Sequence, residues 1–219
     1  MHIFDGIVAC PCIRGGGANG KSWHDAALLF KRQNAFNDFQ VAAEYLVREK
    51  YTEHRKIVIH GHSNGGLLVA ACINQRPDLF GAAIDSAGLT DMLRIRITNP
   101  DVGWEEEFGS PDVDKEFRNL LKYSPIHNVH VPTSETDQYP ATLIVQGDED
   151  DTVLPLHSLK FAAALQNAAH NNAHQKNPIL FKMNENSDHG DGDPNQMSIQ
   201  TANMLSFIYQ ALKLEHYTL

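Results

Sequence analysis

Gly61-His62-Ser63-Asn64-Gly65 is a G-x-S-x-G pentapeptide that joins a strand pattern to a helix pattern. The residues before it, Lys56–His60, contain the β-branched run Ile57-Val58-Ile59, as in a buried strand. The residues after it, Leu67–Gln75, are mostly small and apolar, as in a buried helix. Such a pentapeptide by itself is only moderately specific and also occurs as an ordinary glycine turn. Between a strand and a helix it predicts a sharp turn that presents the Ser63 hydroxyl as a nucleophile.

The rest of the chain alternates short apolar runs with longer helical patterns, which is typical of a parallel sheet covered by helices. The expected strands are Ile7–Cys10, Lys56–His60, Gly81–Ile84, Ala141–Val145 and Ile179–Met183. The expected helices cover Phe36–Leu46, Leu67–Gln75, Leu156–Ala169 and Met197–Leu212. Residues 91–139 are expected to be an irregular insertion over the sheet. The predicted class is therefore α/β, with a mostly parallel sheet and helices on both faces.

A serine hydroxyl needs a neighbouring imidazole as its base and a carboxylate that orients the imidazole. In α/β-hydrolases these follow the serine in the order acid, then histidine, each after a strand. The fourth strand pattern runs into Gly147–Asp151, and the last runs into Ser187–Gly190. His189 is therefore the predicted base. Asp148, Asp150 and Asp151 share one loop, and their order in the sequence does not separate them.

Composition limits the other function classes. The chain has 219 residues, with 18 Lys+Arg against 27 Asp+Glu, and its formal charge of -9 argues against a nucleic-acid surface. No apolar run reaches the roughly 18 residues of a membrane-spanning helix, and the N-terminus does not resemble a signal peptide. The odd number of cysteines, Cys10, Cys12 and Cys72, predicts buried inert thiols and a reducing compartment, the cytoplasm.

Metal binding is not expected. His60 and His62 form an H-x-H pair without a third ligand at metal spacing. The acids Asp188, Asp191 and Asp193 surround His189, but the twelve-residue calcium loop with a terminal glutamate is absent. The histidines of a polar loop, His170 and His174, are expected to face solvent.

Several longer stretches make the chain recognisable. They are residues 61–70, 74–81, 123–128 and 150–161, together with Ile13-Arg14-Gly15-Gly16-Gly17. In combination they closely resemble the prolyl oligopeptidase family. The resemblance runs from about Cys12 to the C-terminus without a long gap, and it implies an α/β-hydrolase fold for the chain.

The resemblance also assigns residues. It implies a triad of Ser63, Asp150 and His189, which selects Asp150 within its loop, and it implies Asn64 as an oxyanion donor through its backbone N–H. It implies serine-type cleavage on the carboxyl side of proline in short peptides, without a cofactor. Trp104, Phe108 and Val153 stand at positions that contact the substrate proline in the family, with Phe108 in place of a tyrosine.

Two departures from the family stand out. Thr152 occupies the position of an arginine that holds the substrate backbone in the family. The family's β-propeller, its first sheet strands and a second oxyanion donor have no counterpart in the sequence. Residues 1–219 are therefore interpreted as a single, N-terminally truncated catalytic domain. The alternative to an active prolyl endopeptidase is an inactive fragment or pseudoenzyme. The oligomeric state is not predicted.

Overall fold

A four-stranded parallel sheet lies at the centre of the part of the chain that the structure describes. This structure is a computed structural model that describes residues 4–98, 103–135, 137–170, 172–190 and 194–214. The strands are β1 (Val58–His62), β2 (Ala82–Ser86), β3 (Ala141–Gly147) and β4 (Ile179–Asn184). They lie side by side in chain order. The predicted parallel sheet is confirmed.

Helices connect and flank these strands. They are α1 (Lys21–Asp25), α2 (Gln33–Arg48), α3 (Asn64–Gln75), α4 (Ile95–Thr98), α5 (Glu105–Phe108), α6 (Asp114–Tyr123), α7 (Leu156–Ala169) and α8 (Pro194–Ala211). Short 3₁₀ turns occupy Leu29–Lys31, His54–Lys56, Pro77–Leu79 and Pro125–Asn128. The four helices expected from periodicity correspond to α2, α3, α7 and α8.

The sheet buries both of its faces, as α/β architecture requires. On one face, Ile59, Ala83 and Ile144 pack in a cluster with buried residues of α2, α3 and α7. On the other face, Ala82, Ile84, Ala141, Leu143 and Val145 pack against Phe207 of α8. Alternate residues of β2 and β3 thus supply the two clusters, because side chains point to opposite faces of a strand.

The expected strand at Ile7–Cys10 is wrong. These residues form no regular element, and Ile7 and Val8 are 72% and 66% exposed. Before this segment, the Phe4 ring stacks on Tyr209 of α8. After the segment, Arg14 forms an ion pair with Asp38 of α2. Because α8 and α2 cover opposite faces, the segment passes from one face to the other and does not run along a strand. An apolar run alone does not specify a strand when no neighbour pairs with its backbone.

Two further expectations are corrected. The described part of residues 91–139 contains the helices α4 to α6, in place of an irregular insertion. In α6, Phe117, Leu120 and Leu121 stand at i, i+3 and i+4, which is helical spacing, but the four prolines and two glycines of the segment favoured an irregular structure. The thiols of Cys10 and Cys12 are exposed, whereas Cys72 is buried, and burial raises the pKa of its thiol to about 12. His170 and His174 are exposed, as expected.

No segment in the described ranges is a candidate for a membrane-spanning helix. None of the helices there combines the length and hydropathy that are needed to cross a bilayer.

A buried carboxylate lies beneath α3. Asp85 of β2 is fully buried, and neither carboxyl oxygen has a hydrogen-bond partner among the described residues. Its Oδ1 lies where a Cβ on Gly66 or Gly88 would come within 2.4 Å or 2.2 Å of it. Burial raises the pKa of Asp85 to about 8. The carboxyl is therefore neutral in the folded protein at pH 7.

Replacing Asp85 by asparagine is expected to remove a pH-dependent loss of stability. In the unfolded chain Asp85 ionises above its ordinary pKa of 3.8, whereas in the folded chain it ionises only near 8. The free energy of unfolding that this group contributes therefore falls as the pH rises from 4 to 8. We expect Asp85→Asn to match the original chain near pH 4 and to exceed it by about 4–6 kcal/mol at pH 8.5. Urea unfolding at both pH values measures the difference, and a gain that is equal at both would contradict the assignment.

Candidate active site

The predicted nucleophile stands on a strained turn between β1 and α3. Ser63 has φ 58° and ψ -118°, a left-handed backbone conformation that residues other than glycine rarely adopt. The turn is held on both sides, because the Ser63 N–H donates to the Ser86 carbonyl at 2.9 Å and the Ser63 carbonyl accepts from the Leu67 N–H at 3.1 Å. This is the strand–turn–helix geometry in which a serine hydroxyl is exposed at the end of the sheet.

The two glycines of the pentapeptide are not equivalent. A Cβ on Gly61 would lie 2.0 Å from the carbonyl oxygen of Gly65, so the turn closes only if residue 61 has no side chain. A Cβ on Gly65 would meet nothing within 4 Å. Gly61 therefore relieves crowding in the turn, whereas the structure leaves room for a side chain at residue 65.

We expect Gly61→Ala to destabilise the chain by about 2–4 kcal/mol, because the clash is with backbone that cannot move without opening the turn. Gly65→Ala is the matched control. Residue 65 lies within α3, where alanine is the better helix former, and its stability should stay within about 1 kcal/mol of the original. Thermal unfolding followed by circular dichroism measures both variants. Equal melting temperatures for the two would contradict the packing described here.

Three loops bring the predicted triad together at the carboxyl edge of the sheet. Ser63 follows β1, Asp150 follows β3 and His189 follows β4. The Ser63 Oγ lies 3.0 Å from Nε2 of His189, and Nδ1 of His189 lies 2.8 Å from Oδ2 of Asp150. A carboxylate can only accept hydrogen bonds, so Nδ1–H donates to Asp150 and Nε2 is left to accept from the serine hydroxyl.

The structure distinguishes Asp150 from the other acids of its loop. Asp150 is 2% exposed and its Oδ1 accepts from the backbone N–H groups of Val153 at 2.8 Å and Thr152 at 3.0 Å. Burial alone would raise the pKa of this carboxyl, but the hydrogen bonds from His189 and from these N–H groups outweigh it, and the net pKa is lowered. The carboxylate is therefore ionised at neutral pH. Asp148 and Asp151 are exposed; Asp148 accepts from the Ser187 N–H at 3.2 Å and Asp151 accepts from the Thr152 hydroxyl at 3.3 Å.

A glutamine that the sequence did not single out completes the environment of the acid. Gln146, in β3, donates from Nε2 to Asp150 Oδ2 at 2.9 Å. Its own amide oxygen accepts from the Ser158 hydroxyl at 2.6 Å. Asp150 thus receives four hydrogen bonds, which fix the direction of its Oδ2 toward His189. Gln146 lies just beyond the predicted strand Ala141–Val145 and belongs to no motif, so no sequence signal marks it.

The predicted oxyanion donor begins a helix. Asn64 is the first residue of α3, so its backbone N–H has no acceptor within the helix. Its side chain is held by two residues that the sequence did not single out. The amide oxygen accepts from Arg32, and the amide nitrogen donates to Glu107 Oε1 at 2.8 Å.

The predicted substrate-contacting residues lie around this site to different depths. Trp104 is partly buried and its ring centroid lies 6.0 Å from that of Phe108. Phe108 and Val153 are almost completely buried, at 0% and 1% exposure. Of the three side chains, that of Trp104 is the most accessible to a ligand. Contact of all three with a substrate stays a prediction. The half-buried Thr152 donates its hydroxyl to Asp151 at 3.3 Å.

The sequence also predicts no metal site. Within the described ranges no group of three His, Cys, Asp or Glu side chains is arranged as a metal site. The His62 ring packs against His189 instead, with centroids 4.7 Å apart. Asp191 and Asp193, the acids after His189, lie outside the described residues.

Comparison with known proteins assigns the family. The sequence pattern of the prolyl oligopeptidase family, Peptidase S9, matches residues 2–215. The chain belongs to the prolyl oligopeptidase family. It is 38% identical over 216 residues to prolyl endopeptidase of Dictyostelium discoideum and 43% identical over 206 residues to prolyl endopeptidase of Elizabethkingia meningoseptica. These matches cover 98% and 92% of this chain.

The family's solved structures share this fold. The structure of prolyl oligopeptidase B from Galerina marginata, bound to a 35mer hydrolysis and macrocyclization substrate, superposes with a TM-score of 0.88 at 38% identity. The superposition covers 99% of this chain and 30% of that one. This prolyl oligopeptidase family chain spans about 28% of the length of the curated relatives named above.

Proposed function

We propose that the chain hydrolyses short peptides on the carboxyl side of proline as a serine peptidase, without a cofactor. The observation that carries the proposal is the continuous hydrogen-bonded series from Ser63 through His189 to Asp150, with contacts of 3.0 Å and 2.8 Å. A reacting carbonyl would lie beside Ser63, within reach of the Asn64 N–H. Family membership and the relatives named prolyl endopeptidase support the reaction class.

In the first half of the reaction, Ser63 becomes acylated. Its Oγ attacks the scissile carbonyl carbon while His189 Nε2 takes the hydroxyl proton. The carbonyl oxygen gains negative charge and is stabilised by the Asn64 N–H. Asp150 stabilises the resulting imidazolium through Nδ1 and stays ionised, as its lowered pKa requires. The C–N bond then breaks, and the leaving amine takes the proton from Nε2.

In the second half, water releases the peptide acid. His189 takes a proton from the water, whose oxygen attacks the acyl carbon, and the oxyanion again faces Asn64. Collapse of this intermediate breaks the bond to Ser63 Oγ, which takes the proton back from Nε2. The proton from the Ser63 hydroxyl and the proton from water therefore both pass through His189 Nε2. The Ser63–Nε2 distance allows this transfer without movement of the main chain.

Selection of proline is proposed to depend on the Trp104 ring. A flat aromatic face packs on a pyrrolidine ring, and proline offers no N–H that would need an acceptor there. The helix that follows Trp104 begins with three acidic residues, Glu105, Glu106 and Glu107. Acidic groups would therefore lie near a bound peptide.

We expect Trp104→Ala to reduce the preference for proline over alanine by about tenfold, equivalent to about 1.4 kcal/mol of lost ring contact. Trp104→Phe keeps an aromatic face and should retain most of the preference. The measurement is the ratio of kcat/KM for two peptides that differ only at that residue. An unchanged ratio in Trp104→Ala would remove this residue from the selective surface.

The direct test of the function is incubation of the chain with a proline-containing peptide and identification of the products by mass spectrometry. We expect cleavage after proline by the original chain and none above background by Ser63→Ala. Hydrolysis of a proline-free ester without peptide cleavage would indicate a general esterase of the same fold.

A second candidate is a non-catalytic member of the family. Thr152 cannot replace the charged hydrogen bonds of an arginine to the peptide backbone, which would be worth about 1.5–3 kcal/mol. Among the described residues β1 pairs only with β2, so its other edge has backbone groups that could pair with a further strand. Both features would suit a chain that binds a partner in place of turning over substrate. Absence of peptide cleavage by a folded chain would favour this candidate.

For partners and location, we propose short proline-containing peptides as ligands and no nucleic acid, given the formal charge of -9. The cytoplasm is the proposed location, because the three cysteines are free thiols.

A further inference from the structure

Three elements converge on the side chain next to the nucleophile. Arg32 stands immediately before α2, Asn64 begins α3 and Glu107 lies in α5. Arg32 Nη1 donates to Glu107 Oε1 at 2.7 Å, while its Nη2 donates to the Asn64 amide oxygen. The Asn64 amide nitrogen donates to the same Glu107 oxygen at 2.8 Å. The three side chains form a closed triangle, which we call the Asn64 clamp.

The clamp is built around a buried cation. Arg32 is 5% exposed, and its guanidinium lies 4.7 Å from the centroid of the Phe108 ring. Its Nε has no hydrogen-bond partner among the described residues. A buried ion pair with an unpaired donor adds little to stability, because removing the charges from water offsets their attraction. Stability alone therefore does not account for this arrangement.

The geometry of the clamp instead suits a role in positioning Asn64. Both ends of the Asn64 amide are engaged, so the side chain cannot rotate without breaking a charge-assisted hydrogen bond. Asn64 is the first residue of α3, and fixing its side chain limits how far its backbone can rotate. That backbone carries the N–H proposed to stabilise the oxyanion. Glu107 also belongs to the short helix preceded by Trp104, so the clamp links the nucleophile turn to the proposed proline-selective ring.

We propose that Arg32 and Glu107 are positioning residues that hold Asn64, and thereby aim its backbone N–H at the developing oxyanion while fixing the distance to Trp104. The inference rests on the proposed function, because the oxyanion arises only in that reaction. Neither residue is proposed to touch the substrate. Arg32 acts through Asn64, and it does so by the planar fork of its guanidinium, which reaches two acceptors at once.

The test compares Arg32→Met with Arg14→Met. Arg14 forms a two-pronged ion pair with Asp38 of α2, at 2.6 Å and 2.8 Å, and is not part of the clamp. The control therefore reports the general cost of losing an arginine ion pair next to α2. For a proline-containing peptide, we expect Arg32→Met to lower kcat by about 10- to 100-fold with KM changed less than about threefold, since a misaimed oxyanion donor affects the transition state. Arg14→Met should leave kcat within about twofold.

A conservative variant and the other end of the clamp complete the kinetic test. Arg32→Lys keeps the charge without the fork and should recover only a part of kcat. Asn64→Ala keeps the backbone N–H but cannot be clamped, so its kcat should fall by a similar factor. In the double variant the two losses should not add, because both remove one interaction. Unchanged kcat in Asn64→Ala, or fully additive losses, would overturn the proposal, even where Arg32→Met fails to fold.

A readout independent of turnover separates this inference from the proposed function. ¹⁵N relaxation of the Asn64 backbone amide should show a lower order parameter in Arg32→Met than in Arg14→Met. If the original chain cleaves no peptide but this difference is found, the proposed function fails and the clamp stands. If cleavage occurs and both kcat and the order parameter are unchanged by Arg32→Met, the clamp fails and the function stands.

Discussion

Replacing His189 by alanine is expected to lower kcat for a proline-containing peptide by about 10⁴- to 10⁶-fold. Ser63 Oγ has His189 Nε2 at 3.0 Å as its proton acceptor, and Asp150, which could otherwise serve as a base, contacts the far side of the imidazole. Without the ring, the serine hydroxyl keeps its proton at neutral pH and is a poor nucleophile. The measurement is the rate of peptide cleavage under saturating substrate.

His174→Ala is the matched control, since His174 is an exposed histidine of a distant loop. It should retain full activity. Because Ser63 and His189 act as one unit, the double variant Ser63→Ala with His189→Ala should be no slower than either single variant. Retention of kcat within about tenfold in a folded His189→Ala chain would show that another group takes the serine proton.

The second large effect is expected for Asp150→Asn, which should lower kcat by about 10⁴-fold. An asparagine amide can donate to Nδ1, which would favour the tautomer that carries its proton on Nε2 and cannot accept from Ser63. The lost negative charge also removes the stabilisation of the imidazolium. The low pKa of Asp150 means that the original carboxylate remains charged down to acidic pH, so this group should not limit activity near neutrality.

Asp148→Asn and Asp151→Asn are controls within the same loop. Both acids are exposed, whereas Asp150 is buried against His189, so both variants should stay within about threefold of the original kcat. A loss in Asp151→Asn as large as that in Asp150→Asn would contradict the assignment of the orienting acid. The comparison requires equal melting temperatures, because Asp150 also fixes the loop through the Thr152 and Val153 N–H groups.

Local patterns in the sequence were sufficient to predict the four strands of the sheet. Four of the five expected strands form, because each is an apolar run between a helix and a loop and each finds a neighbour in register. Ile7–Cys10 has the same apolar character but not the neighbour, and pairing is a property of the whole fold. The helix α6 has apolar residues at helical spacing, Phe117, Leu120 and Leu121, but the prolines and glycines around it favoured an irregular segment.

The residues of the site also differ in how far the sequence indicates them. Ser63 and His189 could be predicted from their places after strands, since parallel strands end at one edge of a sheet. Choosing Asp150 within its loop depended on resemblance, and in the structure it depends on burial and on four hydrogen bonds. Gln146, Arg32 and Glu107 carry no motif. Arg32 and Glu107 lie 32 and 43 residues from Asn64 along the chain, so tertiary contact alone brings them together.

The most direct measurement of the central claim is covalent labelling of the chain with a fluorophosphonate. An activated Ser63 Oγ attacks the phosphorus, fluoride leaves, and the adduct stays on the serine. Peptide mapping by mass spectrometry should find the adduct on Ser63 in the original chain and lose it in both Ser63→Ala and His189→Ala. A folded chain that carries no adduct on Ser63, or that carries it equally in His189→Ala, would contradict the account.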